Sequence, residues 1–558
     1  QRVGLSIVED REVMERILAD ANGASPQDRA WSAANLAQLA RSEGELSRNR
    51  SMLLQAIQLD PSEVSFRLQA ARLDLEELEL ERARRLLEEA LQGAPGCAPC
   101  RELLAEVQIA RGDAAAALAL LEKDAPRTAW VSCLRGKAYL LLDRLQEASD
   151  HLAAAQTQQR DQLESSALLA LVRVLLGNRR GGMEALRTLE RARPGEPAVL
   201  LALAIALRHQ GALDQARGYL GELLKLRPRP YEAWTELCRL EIMAAFGGPA
   251  LTACQAALRN NPSYLPAWGL VAGIHEAEGR TGEAENAYRK VAEQLSGDPR
   301  AVGGLISCML SRDRDAEAAR LLGGHAAALG PAAHFYRGLI AERAGKMDEA
   351  VTELRAASLH APLAKKALSA LGRAYLSQGR EAQARSALEQ AAQGPDGDTG
   401  AQLLLGDLAL KADRLEDAAS HYQTTLMLLD RRLHRSEDEA AALYGLGEAF
   451  FRRGSAFLGS ARTAFQRAAK ADARDGSSRL RLGEIGELEG NEEQAVAYYR
   501  EAIAVDPDLI RAYWFLGRLL QKRGEKDGAR QALQEYLRRM PRGGNVQEAH
   551  TLLEKLGQ

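Results

Sequence analysis

Aromatic residues are scarce: Phe, Trp and Tyr make up 5% of the 558 residues. The interior must therefore be packed mainly by Ala and Leu. Neither sign of charge is in excess, with 73 Lys and Arg against 76 Asp and Glu. A balance of −3 offers no broad basic field, so nucleic acid is not expected as a partner. No run of about 18 apolar residues occurs, so no helical membrane span is expected. Cysteine is sparse at six residues, too few for a disulfide-built scaffold. Cys133, Cys238, Cys254 and Cys308 fall inside apolar helical patterns and read as small buried hydrophobes.

Catalytic patterns are missing as well. No two histidines stand four apart on one helix, and the Walker and G-x-S-x-G patterns do not occur. Gly445 and Gly447 begin a G-x-G, but Phe450 stands where the third glycine would be. An enzyme is not expected, nor a cofactor, nor a metal site. Cys97 and Cys100 form a C-x-x-C in PGCAPCRE, with no second pair and no following His. It reads as a turn without chemistry, with a labile disulfide or redox switch as the alternative.

What the chain does have is a period. The interval from Gly483 to Gly517 recurs from Gly490 to Gly524, from Ala495 to Ala529 and from Pro507 to Pro541. Unit boundaries fall at 30, 64, 98, 129, 163, 197, 231, 265, 299, 331, 365, 399, 440, 476 and 510, and eleven of the fifteen units are equal in length. Each unit reads as two amphipathic helices joined by a turn. A small residue recurs mid-way along the first helix: Gly136, Gly338, Gly372, Gly406, Gly447, Gly483 and Gly517, with Ala elsewhere. A mid-helix Gly costs about 1 kcal/mol against Ala, so its recurrence implies a close helix crossing. Its partner on the second helix is read as the recurrent Ala, for example Ala148, Ala495 and Ala529. Gly at 44, 112, 177, 211, 279, 345, 379, 454, 490 and 524 suits the end of the first helix. Pro at 61, 95, 194, 228, 262, 362, 507 and 541 suits the end of the second.

This pattern resembles the tetratricopeptide repeat. In the last unit Tyr513, Leu516, Gly517, Leu520, Ala529, Leu533 and Pro541 match its consensus positions, and Tyr536 departs from the usual Ala. The resemblance covers residues 30–543 and implies an all-α fold, an α-α superhelix of stacked antiparallel helix pairs with a concave groove. Residues 1–29 are expected to hold an N-terminal capping helix, 30–398 repeats 1–11, 399–543 repeats 12–15, and 544–558 a C-terminal capping helix. GPDGDTG at 394–400 is the expected hinge, and RLHRSED at 432–438 lengthens repeat 12.

By resemblance, the first helix of each repeat lines the groove and meets the ligand. The Lys/Asn clamp that the family uses for acidic C-terminal tails is absent. In the last three repeats the expected groove residues are Tyr444, Phe451, Arg452, Arg481, Trp514, Phe515, Arg518 and Lys522. Aromatics interleaved with Arg have the chemistry of interface anchors; packing of Trp514 and Phe515 under the closing helix is the alternative. A second candidate is an apolar groove in repeats 4–6, at Leu134, Leu168, Leu171, Leu201 and Ile205, suited to an amphipathic helix. Inter-repeat packing explains the same residues.

The expected function is a non-catalytic scaffold that binds partner proteins or peptides in its groove, within a multi-protein complex. One alternative is an assembly or regulatory arm of a larger envelope-export, exopolysaccharide-secretion or transferase protein. Another is a signalling adaptor for a small GTPase or motility machinery. The Arg- and Ala-rich composition suggests a bacterial source. A cytoplasmic location is expected, with a periplasmic one open because the chain begins at Gln1.

Overall fold

The computed structural model describes residues 7–20, 22–122, 128–158, 163–226, 231–295, 297–361 and 363–557. Among these residues are 32 α-helices, one short 3-10 turn and no strand. The helices alternate as the period predicts. First helices begin at Val64, Ala98, Ala129, Leu163, Pro197, Tyr231, Leu265 and Pro299, each on its expected boundary. Those of repeats 1 and 13 begin four residues early, at Pro26 and Ser436. Helices Ile7–Ala19 and Val546–Gly557 flank the repeats. Pro228 and Pro362 lie outside the described residues.

The chain divides into two compact units. One comprises residues 1–241, 248–271 and 293–296, the other 242–247, 272–292 and 297–558. Within each, the core is a chain of clusters in which one repeat covers the next; Leu171, Leu186, Leu203, Leu220 and Leu240 carry one such cluster through repeats 5–7. The segment at 394–400 is bridged in the same way, by Leu388 and Ala391 against Ala401 and Leu405. There Asp398 caps the following helix, its carboxylate accepting from the Ala401 N–H at 2.8 Å.

All ten turn glycines have positive φ, from 72° at Gly379 to 98° at Gly177. The other five repeats place Leu78, Asp143, Ala245, Asp313 and Asp413 in the same left-handed conformation. A side chain there costs about 1–2 kcal/mol, except that Asp eases it by local hydrogen bonding.

The small residue of the first helix marks a tight crossing, but its partner is not the recurrent Ala. A Cβ on Gly483 would lie 2.4 Å from the Tyr499 ring, one on Gly136 2.5 Å from Leu152, and one on Gly517 2.7 Å from Leu533. The filling side chain stands four residues beyond the Ala. Helical side chains lean toward the N-terminus, so a residue covers the turn before its own Cα.

Repeat 7 solves this notch differently. Its two positions hold Cys238 and Cys254, at the same sequence offset, and they form a disulfide with Cα atoms 5.3 Å apart. The two are buried, as small hydrophobes would be, but the reading is corrected in one respect: they are also covalently paired. Cys133 and Cys308 are buried free thiols, and burial pushes their pKa values up, to about 11 and about 12.

Candidate functional site

The first unit holds a half-open chamber with an apolar floor and charged side chains around it. The first helices of repeats 4, 5 and 6, Ala129–Leu141, Leu163–Leu175 and Pro197–His209, contribute Leu140, Leu168, Leu171, Leu175, Leu201 and Ile205. Leu75, Leu78 and Ile109 contribute from repeats 2 and 3, and Tyr231 and Tyr264 from the other side, around a cavity of about 670 Å³. The wall closes because this unit returns on itself. Leu78 packs on the Tyr231–Tyr264 cluster. The Asn261 side-chain amide donates to the Ala110 carbonyl at 3.0 Å, and Arg111 donates to Gln294. The Pro266 ring sits against Gly112, where a Cβ would fall 2.2 Å from the ring Cδ. At φ 85°, Gly112 is thus required both by the backbone and by its neighbour.

Charges gather around the chamber. The Lys137 ammonium lies 2.6 Å from Glu164 and 5.8 Å from the centre of the Trp130 ring. Burial works against the Lys137 charge, but Glu164 outweighs it and raises the ammonium's pKa. Glu236, buried, pairs with Arg208 at 3.0 Å and with Arg239. Glu106 is half-buried, and burial holds its carboxyl above the usual range despite nearby Lys137. Of the apolar candidates expected from sequence, Leu168, Leu171, Leu201 and Ile205 line the chamber; Leu134 does not, being fully buried in the neighbouring core.

In the last repeats the expected groove residues largely engage one another. Trp514 is 5% exposed and packs against Tyr536, ring centres 5.6 Å apart, in the core that also holds Leu552 and Leu553 of the closing helix. Tyr444 packs on Phe465. Arg481 bridges Glu484, at 2.7 Å, and buried Glu448, at 3.0 Å, with its guanidinium over Phe451. Arg452 lies 3.8 Å from Glu448, Arg518 2.8 Å from Glu487 and Lys522 2.6 Å from Glu492. Phe515 stacks on Tyr499 and carries the Arg511 and Arg518 guanidiniums over its ring.

Sequence reasoning missed a cavity of the second unit, of about 510 Å³, which the 432–438 insertion lines. Arg432 donates to the Gly397 carbonyl at 3.3 Å, and the Arg435 stem lies against Gly279. Lys366, Arg373, Glu276 and Asp398 complete a polar rim. The only signal in the sequence was the insertion's length. Among the described residues no group of three His, Cys, Asp or Glu could hold a metal, and no helix is long and apolar enough to cross a membrane.

Comparison with known proteins adds to this geometry. A family model described as tetratricopeptide repeat matches residues 488–556. A second model of the same description matches 167–233, 348–398, 369–432, 403–456 and 457–510. Among curated proteins, no sequence matches. A solved structure titled "Crystal structure of APC/C hetero-tetramer Cut9-Hcn1" is similar at 16% identity, covering 92% of this chain and 99% of that one, with a TM-score of 0.43. The matched repeats stand on both sides of residues 234–347, and the helix pairs between them keep the same period. The chain belongs to the tetratricopeptide-repeat family.

Proposed function

We propose that this chain is a protein-interaction scaffold whose first unit holds an amphipathic helix of a partner in the apolar chamber of repeats 4–6. The observation that carries this reading is the row of half-buried Leu168, Leu201 and Ile205 facing one cavity. A partner helix would place its apolar stripe on that row. Glu106 supports a donor or cation on the partner, because a half-buried carboxylate gains most from a charge-assisted hydrogen bond. The buried Cys238–Cys254 pair supports an oxidising compartment, and with it an assembly arm working outside the cytoplasm.

The last repeats offer a second reading. Phe515 and the exposed heads of Arg511 and Lys522 form a smaller cationic and aromatic patch. Burial leaves Trp514 to the core rather than to a partner.

A photo-crosslinking amino acid at position 205, and separately at 522, tests both readings in the native host. A discrete polypeptide adduct at 205, abolished by Leu168→Glu with Leu201→Glu, is the expected result. An adduct at 522 alone transfers the role to the last repeats. Absence of adducts at both positions contradicts groove binding.

A further inference from the structure

The Cys97–Cys100 pair stands at the edge of a core cluster, with Cys100 inside it and Cys97 packed against it, and it lines no part of the chamber. The two sulfurs are joined, with Cα atoms 5.3 Å apart. They open the helix Ala98–Arg111, with Cys97 at its N-cap and Pro99 between them. The Cys100 N–H points at the Cys97 sulfur, 3.2 Å away. Burial differs sharply within the pair: Cys100 is 0% exposed, whereas Cys97 is only half-buried. Around Cys97 the loop is open, since a Cβ on Gly93 or on Gly96 would meet nothing within 4 Å. Arg101 follows directly, its guanidinium turned back to the Pro95 carbonyl at 3.3 Å, which sets a positive charge beside the same loop.

From this arrangement we infer that Cys97–Cys100 is a thiol–disulfide exchange site, with Cys97 the sulfur that meets an external thiol. A disulfide held only for stability gains nothing from one accessible sulfur. Cys238–Cys254 shows the contrast, with both residues 0% exposed. At Cys97 a released thiolate keeps the Cys100 N–H at the helix start, with the Arg101 charge beside the same loop, a setting that favours the anion.

The exchange balances as follows. An external thiolate attacks Cys97 Sγ, a new S–S bond forms, and the Cys97–Cys100 bond breaks. The electron pair leaves on Cys100 Sγ, which takes up a proton from solvent. A second external thiolate attacks the external sulfur of this mixed disulfide and releases Cys97 as thiolate. Two external thiols become one disulfide, and the cysteine pair gains two electrons. The reverse sequence, driven by an external disulfide, restores the pair. The site is separate from the chamber and does not depend on partner binding there.

The test uses the full chain in glutathione redox buffers, with rapid alkylation and peptide mass spectrometry. Cys97–Cys100 should exchange at least tenfold faster than Cys238–Cys254. In Cys100→Ser, Cys97 should accumulate a glutathione adduct; in Cys97→Ser, Cys100 should carry at least tenfold less, both variants keeping their helical circular dichroism. A cysteine-bearing peptide as second probe separates the sources of thiol: faster exchange with the peptide assigns a polypeptide, equal rates a small thiol. Equal exchange of the two disulfides, or equal adducts in the two variants, overturns the inference.

Discussion

Gly483→Val should destabilise repeat 14 by about 3 kcal/mol, the upper end for forcing atoms into a well-packed core. Any Cβ at this position lies 2.4 Å from the Tyr499 ring. The ring cannot turn aside, because it is 0% exposed and its hydroxyl donates to Glu487 at 2.6 Å. Other repeats suggest a rescue, since they pair Ala at this position with Leu opposite, as at Ala71 with Leu87. Gly483→Ala with Tyr499→Leu should therefore cost less than Gly483→Ala alone, a coupling that independent sites do not show. Hydrogen-exchange protection of helices Gly476–Leu488 and Glu492–Val505 reads the effect locally, which suits an array whose repeats need not unfold together. Additive costs would mean that the two side chains do not share the notch.

Arg481→Ala should cost about 3 kcal/mol, the lower end for breaking a buried pair, because it leaves buried Glu448 with only the more distant Arg452 at 3.8 Å. Glu448 is 3% exposed and takes two of the Arg481 nitrogens. Burial works against the Arg481 charge, but Glu484 and Glu448 outweigh it and hold the guanidinium protonated more firmly than in water. Arg511→Ala is the control. Its side chain is 57% exposed and meets Glu484 only at 3.3 Å, so a loss under about 1 kcal/mol is expected. A thermal or denaturant midpoint for both variants decides the matter. If Arg481→Ala proves as mild as Arg511→Ala, the residue is not structural and its place in a binding surface regains support.

Much of the fold was legible because a repeat states its rules many times. The turn glycines and the notch glycines recur at fixed offsets, and the structure gives each set one physical cause. The period itself also contained information that went unread. Cys238 and Cys254 stand at the same offset as Gly136 and Leu152, and as Gly483 and Tyr499. Their pairing follows once the notch partner is known to lie four residues beyond the Ala.

The candidate sites were less legible, for two reasons. Apolar groove positions and core positions share one helical period, so Leu134 and Leu168 look alike until the neighbouring repeat is in place. Charges nearly a whole repeat apart in sequence become neighbours only when repeats stack, as with Arg481 and Glu448, or Arg518 and Glu487. The return of residues 110–112 to Asn261 and Pro266 depends on small rotations accumulated over several repeats, which no local pattern encodes.

The chamber of the first unit is tested most directly by hydrogen–deuterium exchange on the chain with and without the partner captured at position 205. Partner binding should protect Leu163–Leu175 and Pro197–His209 together, and Leu168→Glu with Leu201→Glu should abolish that protection. Protection confined to Ile510–Lys522, or to second helices alone, would contradict a partner held in the chamber.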